Sequence, residues 1–272
     1  MAIVDLHGLI AGFLSPEEIV KGGVTMEAAA VLHSHFYAPG RPGAAIAPTP
    51  GVAGAALTAY AGQVPFTNPT GGEFSYLAGF RVAATIAGSF MLLDRLWHNS
   101  ALVVTTTTPQ AVNSVAWPAR DQDGAVDGKG VMVGIEVSTA TTNAAAITTM
   151  TLGYTNSAGV PGRVGTVLPT TGFPATAIAG TFVPFLLDAG DVGVRSIQNV
   201  TLATSLLTGV VHLVAYRTLA RVDVPLANTG NFIDANTGGL PRLYDNTVPF
   251  LVQLPSAVSA TNIYAAMVVA QG

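Results

Sequence analysis

Val131, Val133, Ile135 and Val137 stand at every second position, with Met132, Gly134 and Glu136 between them. A period of two is the period of a pleated strand, and it turns one set of side chains to a core and the other set away from it. From Phe74 onward the chain repeats this theme in short runs rich in Val, Ile and Thr, residues that fit a pleated, half-buried surface. The runs predict strands at 77–86, 89–96, 102–107, 110–115, 131–139, 148–155, 162–168, 181–185, 194–203, 209–220, 250–253 and 263–269. Turn clusters separate them: Asp123-Gly124, Asp127-Gly128, 156–159, Ala189-Gly190-Asp191 and Thr237-Gly238-Gly239. In the 209–220 run, Val211, Leu213 and Ala215 alternate with His212, Val214 and Tyr216, so this strand is expected to be buried on both sides. No fixed-period repeat is present, which argues against propellers and solenoids. The expected class is all-β, an antiparallel β-sandwich of jelly-roll type.

The first 73 residues differ from the rest. Ser15-Pro16-Glu17-Glu18 has the form of a capping box with proline at the first helical position, and Gly22-Gly23 would end that helix. Thr25 would cap a second helix over 26–35, with Met26, Ala29, Ala30 and His33 on one face. Residues 37–72 are dense in Pro, Gly and Ala and predict neither helix nor strand, but an extended arm or a long ordered loop. Such an arm suits lying across neighbouring subunits and equally suits a flexible linker. The expected organisation is a helical segment plus arm over 1–73 and a sandwich domain over 74–272.

Charge is scarce. Half of the residues are hydrophobic and only 10% are charged, with Lys21 and Lys129 the two lysines, against about a quarter charged in ordinary soluble domains. Burying small apolar and hydroxyl side chains avoids the desolvation cost of burying charge, so this composition points to a surface hidden in an assembly. The net charge is −4 and no basic stripe exists, which excludes nucleic acid as an expected partner. Cysteine is absent, which excludes disulfides, thiol nucleophiles and Cys-ligated zinc. The apolar N-terminus carries Asp5 and lacks the positive region of a signal peptide. The run 77–93 is broken by Arg81 and reads as soluble-core strand, not membrane span. Synthesis in the host cytoplasm and no membrane partner are the expectations.

Tests for chemistry return little. The five histidines (His7, His33, His35, His98 and His212) match no zinc signature. His33 and His35 would face apart on a helix; His98 suits a structural hydrogen bond and His212 a satisfied core position. No nucleophile elbow, P-loop or paired carboxylates can be pointed to. Asp121, Asp123 and Asp127 form the most metal-like stretch, but Ala125 and Met132 occupy positions where an EF-hand needs oxygen ligands, so a solvated Asp-Gly hairpin loop is the simpler reading. Asp94 and Arg95 are candidates for a salt bridge across a sheet or a subunit boundary, and Arg217 and Arg221 flank another strand end. Trp97 and Trp117 are explained by core packing. No catalytic, cofactor-binding or metal residue is assigned, no cofactor is called for, and the chain is not expected to be an enzyme.

The runs LLDRLWHNSALVVTTTTPQAVNSVAWPARD, VGIEVSTATT, YTNSAGVPGR, AGDVGVRSIQNVTL, VHLVAYRTLARV and LPRLYDNTVPFLVQLP, spread between Phe74 and Gly272, resemble those of structural proteins encoded by tailed bacteriophages and prophages. The resemblance implies a virion component. It points first to a capsid decoration or cement protein on the capsid exterior, packed on the major capsid protein and on itself as a homo-oligomer such as a trimer. A neck, tail or fibre protein, a jelly-roll major capsid protein and a carbohydrate-binding β-sandwich are the alternatives. The resemblance brings no functional residues with it.

Overall fold

The computed structural model describes residues 5–24, 29–239 and 241–272. In chain order the elements are α1 (Leu6–Ala11), β1 (Glu17–Val24), β2 (Leu32–Ser34), a 3-10 turn (His35–Tyr37), β3 (Gly40–Arg41), β4 (Ala55–Ala56), β5 (Ser75–Ala84), β6 (Gly88–His98), β7 (Gln110–Ala111) and β8 (Val131–Thr139). Then follow β9 (Thr151–Asn156), β10 (Arg163–Val167), β11 (Thr181–Leu186), β12 (Val194–Thr201), β13 (Val210–Val224), β14 (Thr229–Asp234), α2 (Ala235–Gly238), β15 (Arg242–Leu243), β16 (Pro249–Pro255) and β17 (Thr261–Gln271).

The strands form two antiparallel sheets. The smaller runs β14-β5-β17-β1-β3, with β15 added on β5. The larger runs β2-β16-β6-β13-β8-β11-β10-β9-β12-β7, with β4 on β6. A further pairing of β2 with β11 closes β2, β16, β6, β13, β8 and β11 into a six-stranded barrel. The all-β antiparallel class read from the sequence is therefore the observed one, with one sheet closed on itself.

Three cores follow from this layout. Val131, Val133, Ile135 and Val137 of β8, with Leu213 and Ala215 of β13, point out of the barrel. They meet Leu152 and Tyr154 of β9, Val167 of β10, and Val194, Ile197 and Val200 of β12. Phe90 and Leu92 of β6, Leu219 and Val222 of β13, and Leu251 of β16 pack against Ile19 of β1, Leu77, Phe80 and Val82 of β5, and Ile263 and Met267 of β17, joining the smaller sheet to the barrel. Phe36, Leu93, Phe182, Val214, Phe250 and Val252 fill the barrel. Each such side chain gains about 1.5–3 kcal/mol from leaving water. Gly134 makes room inside: a Cβ there would sit 2.7 Å from Phe182 Cζ.

Several expectations change. Glu17–Val24 is not a helix but β1, paired with β17 and β3, so the Ser15 capping box does not form. The helix of the N-terminal segment lies earlier, at Leu6–Ala11, where Asp5 Oδ1 accepts from the Gly8 amide. The second expected helix falls partly outside the described residues, and its described end is β2 and the 3-10 turn. Residues 102–107 form no strand, and the 110–115 run shrinks to β7. β8 does not have one face to core and one to solvent, because its second face lines the barrel and Glu136 is buried. β13 is buried on both sides around His212–Tyr216, as its pattern indicated.

Residues 37–72 run extended along their own barrel. The Leu57 amide donates to the Leu96 carbonyl at 2.9 Å and the Val64 amide to the Pro249 carbonyl at 2.8 Å. Leu57 and Val64 are buried, and the Trp97 indole donates to the Ala53 carbonyl. These bonds explain how a Pro- and Gly-rich stretch is ordered: the barrel supplies the partners that regular structure would have supplied.

Candidate functional site

The barrel interior is the most concentrated set of polar chemistry among the described residues. Arg95 of β6 reaches Glu136 of β8 with Nη1 2.7 Å from Oε2, both side chains fully buried. The Tyr37 hydroxyl donates to the same oxygen at 3.0 Å. Arg95 Nε donates to His98 Nδ1 at 3.1 Å. Its guanidinium lies 4.6 Å from the centroid of the Phe36 ring, a cation–π contact in a desolvated place. Tyr60, from the extended segment, stacks on Phe36 and meets His98 edge-on at 4.6 Å.

His98 and His212 line this space; His33 and His35 lie on the other face of the wall, with Gln253, where Leu251 and Phe90 turn towards the smaller sheet. His33 sits on β2, and His35 follows in the 3-10 turn with its Nε2 3.2 Å from Gln253 Oε1 of β16. Their rings meet edge-on at 5.2 Å. His212 of β13 is held between the Asn99 carbonyl and the Ser138 hydroxyl, each at 2.8 Å. Burial pushes all four below the ordinary histidine value: His33 to about 4, His35 well down, His98 strongly and His212 down. Burial raises the Tyr37 phenol far above its usual range, and lowers Lys21 to about 8. The Lys21 ammonium donates to the carbonyls of Ala38 and Pro42.

Five buried polar atoms have no partner within the protein: Arg95 Nη2 and Glu136 Oε1 inside the barrel, and His33 Nδ1, His35 Nδ1 and Gln253 Nε2 on the outer face of β2 and β16. Such groups cost about 1–3 kcal/mol each when left unbonded. No group of three His, Asp or Glu side chains among the described residues is placed to hold a metal. The geometry holds protons and dipoles in fixed places; it presents no nucleophile beside a base.

The remaining sequence candidates fall elsewhere. Asp94 and Arg95 do not pair with each other, because neighbours on a strand face opposite ways. Asp94 turns out of the barrel and binds Arg120, with Nε 3.1 Å from Oδ2 and Nη2 3.2 Å from Oδ1, while Arg217 stands 3.8 Å away. Arg221 is on the surface beside Asp223. Trp97 and Trp117 meet edge-on in the outer core, as packing residues. Glu136, Arg120, Tyr37 and Gln253 were not singled out from the sequence. The one signal for Glu136 was a carboxylate inside an otherwise apolar run.

Asp121 is buried, and its two oxygens accept from four backbone amides, those of Asp123, Ala125, Gly128 and Lys129, at 2.8–3.2 Å. Asp123 pairs with Lys129, and Asp127 with Arg195. The carboxylate that a cation would need first is already committed to organising the loop. Adding millimolar calcium, or removing it with EDTA, is therefore expected to leave the thermal midpoint unchanged; a calcium-dependent rise in differential scanning fluorimetry would contradict this assignment.

The outward face of the smaller sheet is the other notable surface. Phe232 of β14 lies opposite Arg81 of β5, which lies opposite Ala266 of β17, opposite Glu18 of β1. In the next row stand Gly230, Ala83, Tyr264 and Val20. Phe232 is 67% exposed and Tyr264 59%. They flank a groove of about 410 Å³ whose floor is Ala83 and Gly230 and whose rim carries the 2.8 Å Arg81–Glu18 ion pair. Phe13 and Tyr76, both partly exposed, extend the apolar face along β17, each aligned with Ala270.

No known protein family matches the chain, and no curated protein matches it. Among solved structures it is similar to the infectious bursal disease virus VP2 subviral particle, at 7% identity over 95% of this chain and 80% of that one, with a TM-score of 0.17. It is similar to T=1 particles derived from infectious bursal virus at 9% identity, over 95% and 79% of the chains, with a TM-score of 0.15. The human polyomavirus 6 VP1 pentamer aligns at 10% identity over 96% and 95%, with a TM-score of 0.09. At these scores the likenesses carry no argument about function. No helix among the described residues is long and apolar enough to cross a membrane.

Proposed function

We propose that the chain is a non-enzymatic structural protein of a virus particle, acting through surface matched to neighbouring subunits. The observation that carries this reading is the outward face of the smaller sheet, where Phe13, Val20, Tyr76, Phe232 and Tyr264 lie exposed across adjoining strands. Contiguous apolar surface of this kind marks interaction sites, whereas scattered exposed residues do not. Charge adds to the argument: among the described residues seven charged side chains are buried, leaving fewer to keep a free surface soluble.

In its finer form the reading is a tailed-bacteriophage decoration or cement protein on the capsid exterior, packed on the major capsid protein and on its own copies. The sequence phrases from Leu92 to Pro255 support the phage source. A neck, tail or fibre role and a jelly-roll major capsid role share the same physical basis. A second reading has its own observation: the groove between Tyr264 and Phe232, with Arg81 and Glu18 at its rim, suits a sugar ring stacked on an aromatic face.

Sedimentation of the purified chain tests the first reading. A closed homo-oligomer is expected, and Phe232→Asp with Tyr264→Asp should dissociate it. Each lost aromatic anchor costs about 2 kcal/mol, roughly 30-fold in affinity. A wild-type chain that stays monomeric at every concentration and binds polysaccharide through these two residues would replace the assembly reading with the second one.

A further inference from the structure

The barrel is closed by its weakest stave. β2 has three residues and is held by two register pairs on each side: His33 and Ser34 against Gln253 and Val252 of β16, and Leu32 and His33 against Phe182 and Thr181 of β11. One further bond, from the Ser34 amide to the Gly180 carbonyl, runs at 2.6 Å. By contrast, β6 and β13 pair from Gly88–Val224 to His98–Val214 along the opposite wall. Two buried histidines sit on or beside the short stave. The ring of His33 rests on Gly180, where a Cβ would sit 2.5 Å from its Cε1. His35 donates from Nε2 to Gln253 Oε1 and leaves Nδ1 buried without a partner. A proton added to either Nδ1 would form a buried N–H with no acceptor within the protein.

The groups acting on this pair come from three elements. Glu136 of β8 favours a proton on His33, but its Oε2 is already shared by Arg95 and Tyr37. His33 itself and Lys21 of β1 disfavour a proton on His35, while the hydrogen bond to Gln253 of β16 favours one. Burial outweighs these, and the balance excludes protons from both rings while the barrel is closed.

We infer that mild acid releases β2 and opens the barrel between β16 and β11, as a conformational switch built into the fold. The inference rests on the monomer alone and holds whether or not the chain builds a particle. The sign follows from linkage. His33 lies near 4 in the closed barrel, below the roughly 6.5 of a solvated histidine. The released stave therefore binds more protons, so closure is fully stabilised above about pH 6.5 and weakens as the pH falls towards the closed-state value. Each histidine moves the open-to-closed ratio by up to about tenfold per pH unit in that window, roughly 300-fold in all for His33. His98 and His212 are also buried, but they are partnered and lie on β6 and β13, so the seam opens before the far wall.

Amide hydrogen exchange of the intact chain, read as protection factors near pH 7.5 and about pH 5, tests this. Protection over residues 32–38 is expected to fall at least about tenfold while β6 and β13 keep theirs, and the His33→Gln, His35→Gln double variant should retain seam protection at the lower pH. Unchanged seam protection, or an equal fall across β2, β6 and β13, overturns the inference. Should the variant already be open at neutral pH, ring-nitrogen NMR of the wild type decides: both rings must remain neutral until seam protection is lost, and titration of either near 6.5 in the closed barrel overturns it.

Discussion

Glu136→Ala is expected to destabilise the fold by about 3–5 kcal/mol, because it strands the Arg95 guanidinium in a dry barrel. Arg95 would keep its contacts to His98 and Phe36 but lose its counter-charge, and Tyr37 would lose the acceptor of its hydroxyl. Removing both charges together is a different experiment. Arg95→Met with Glu136→Leu replaces the pair by apolar groups of similar volume, and such replacements range from neutral to stabilising. The double variant should be more stable than Glu136→Ala alone, with a coupling energy above about 1 kcal/mol in urea denaturation. Additive losses would mean that the two side chains do not depend on each other for burial.

Asp94→Ala should be comparably severe. Asp94 accepts from Arg120 at two positions and from the Val248 amide at 2.9 Å, with Arg217 close behind. Alanine would leave two buried guanidinium groups facing an uncharged gap. A loss of about 3–5 kcal/mol corresponds to a drop of roughly 10 °C in the melting temperature of a chain this size. Asp94→Asn keeps the shape and one acceptor and should cost about 1–3 kcal/mol. Equal midpoints for the two variants would show that charge, and not hydrogen bonding, anchors this site.

These two sites also show how far the sequence can be read. The strands with strong alternation, β8 and β13 above all, were visible because apolar side chains recur with the period of a pleat. The smaller sheet was visible only in part. β1 looked like a capped helix because Ser15, Pro16 and Glu18 are spaced for one, yet its pairing with β17, far along the chain, overrides that local preference. Glu136 looked like an outward polar residue because period alone cannot distinguish solvent from the inside of a barrel. Its partner, Arg95, lies 41 positions away and is invisible to local pattern.

The position of β17 has a consequence for biosynthesis. It lies between β5 and β1 at the middle of the smaller sheet, and its partner Thr85 precedes Thr261 by 176 residues. While the chain is being translated, β1 and β5 leave the ribosome long before the strand that must stand between them. Until residues 261–271 emerge, those strands hold unmatched backbone edges, and Ile19, Leu77 and Phe80 lack Ile263 and Met267 as packing partners. Folding dominated by such distant pairings is slow, roughly milliseconds to seconds. The nascent chain therefore passes through an interval in which its stickiest edges await the strand between them, and chaperone occupancy should fall only once residues 261–271 have cleared the exit tunnel.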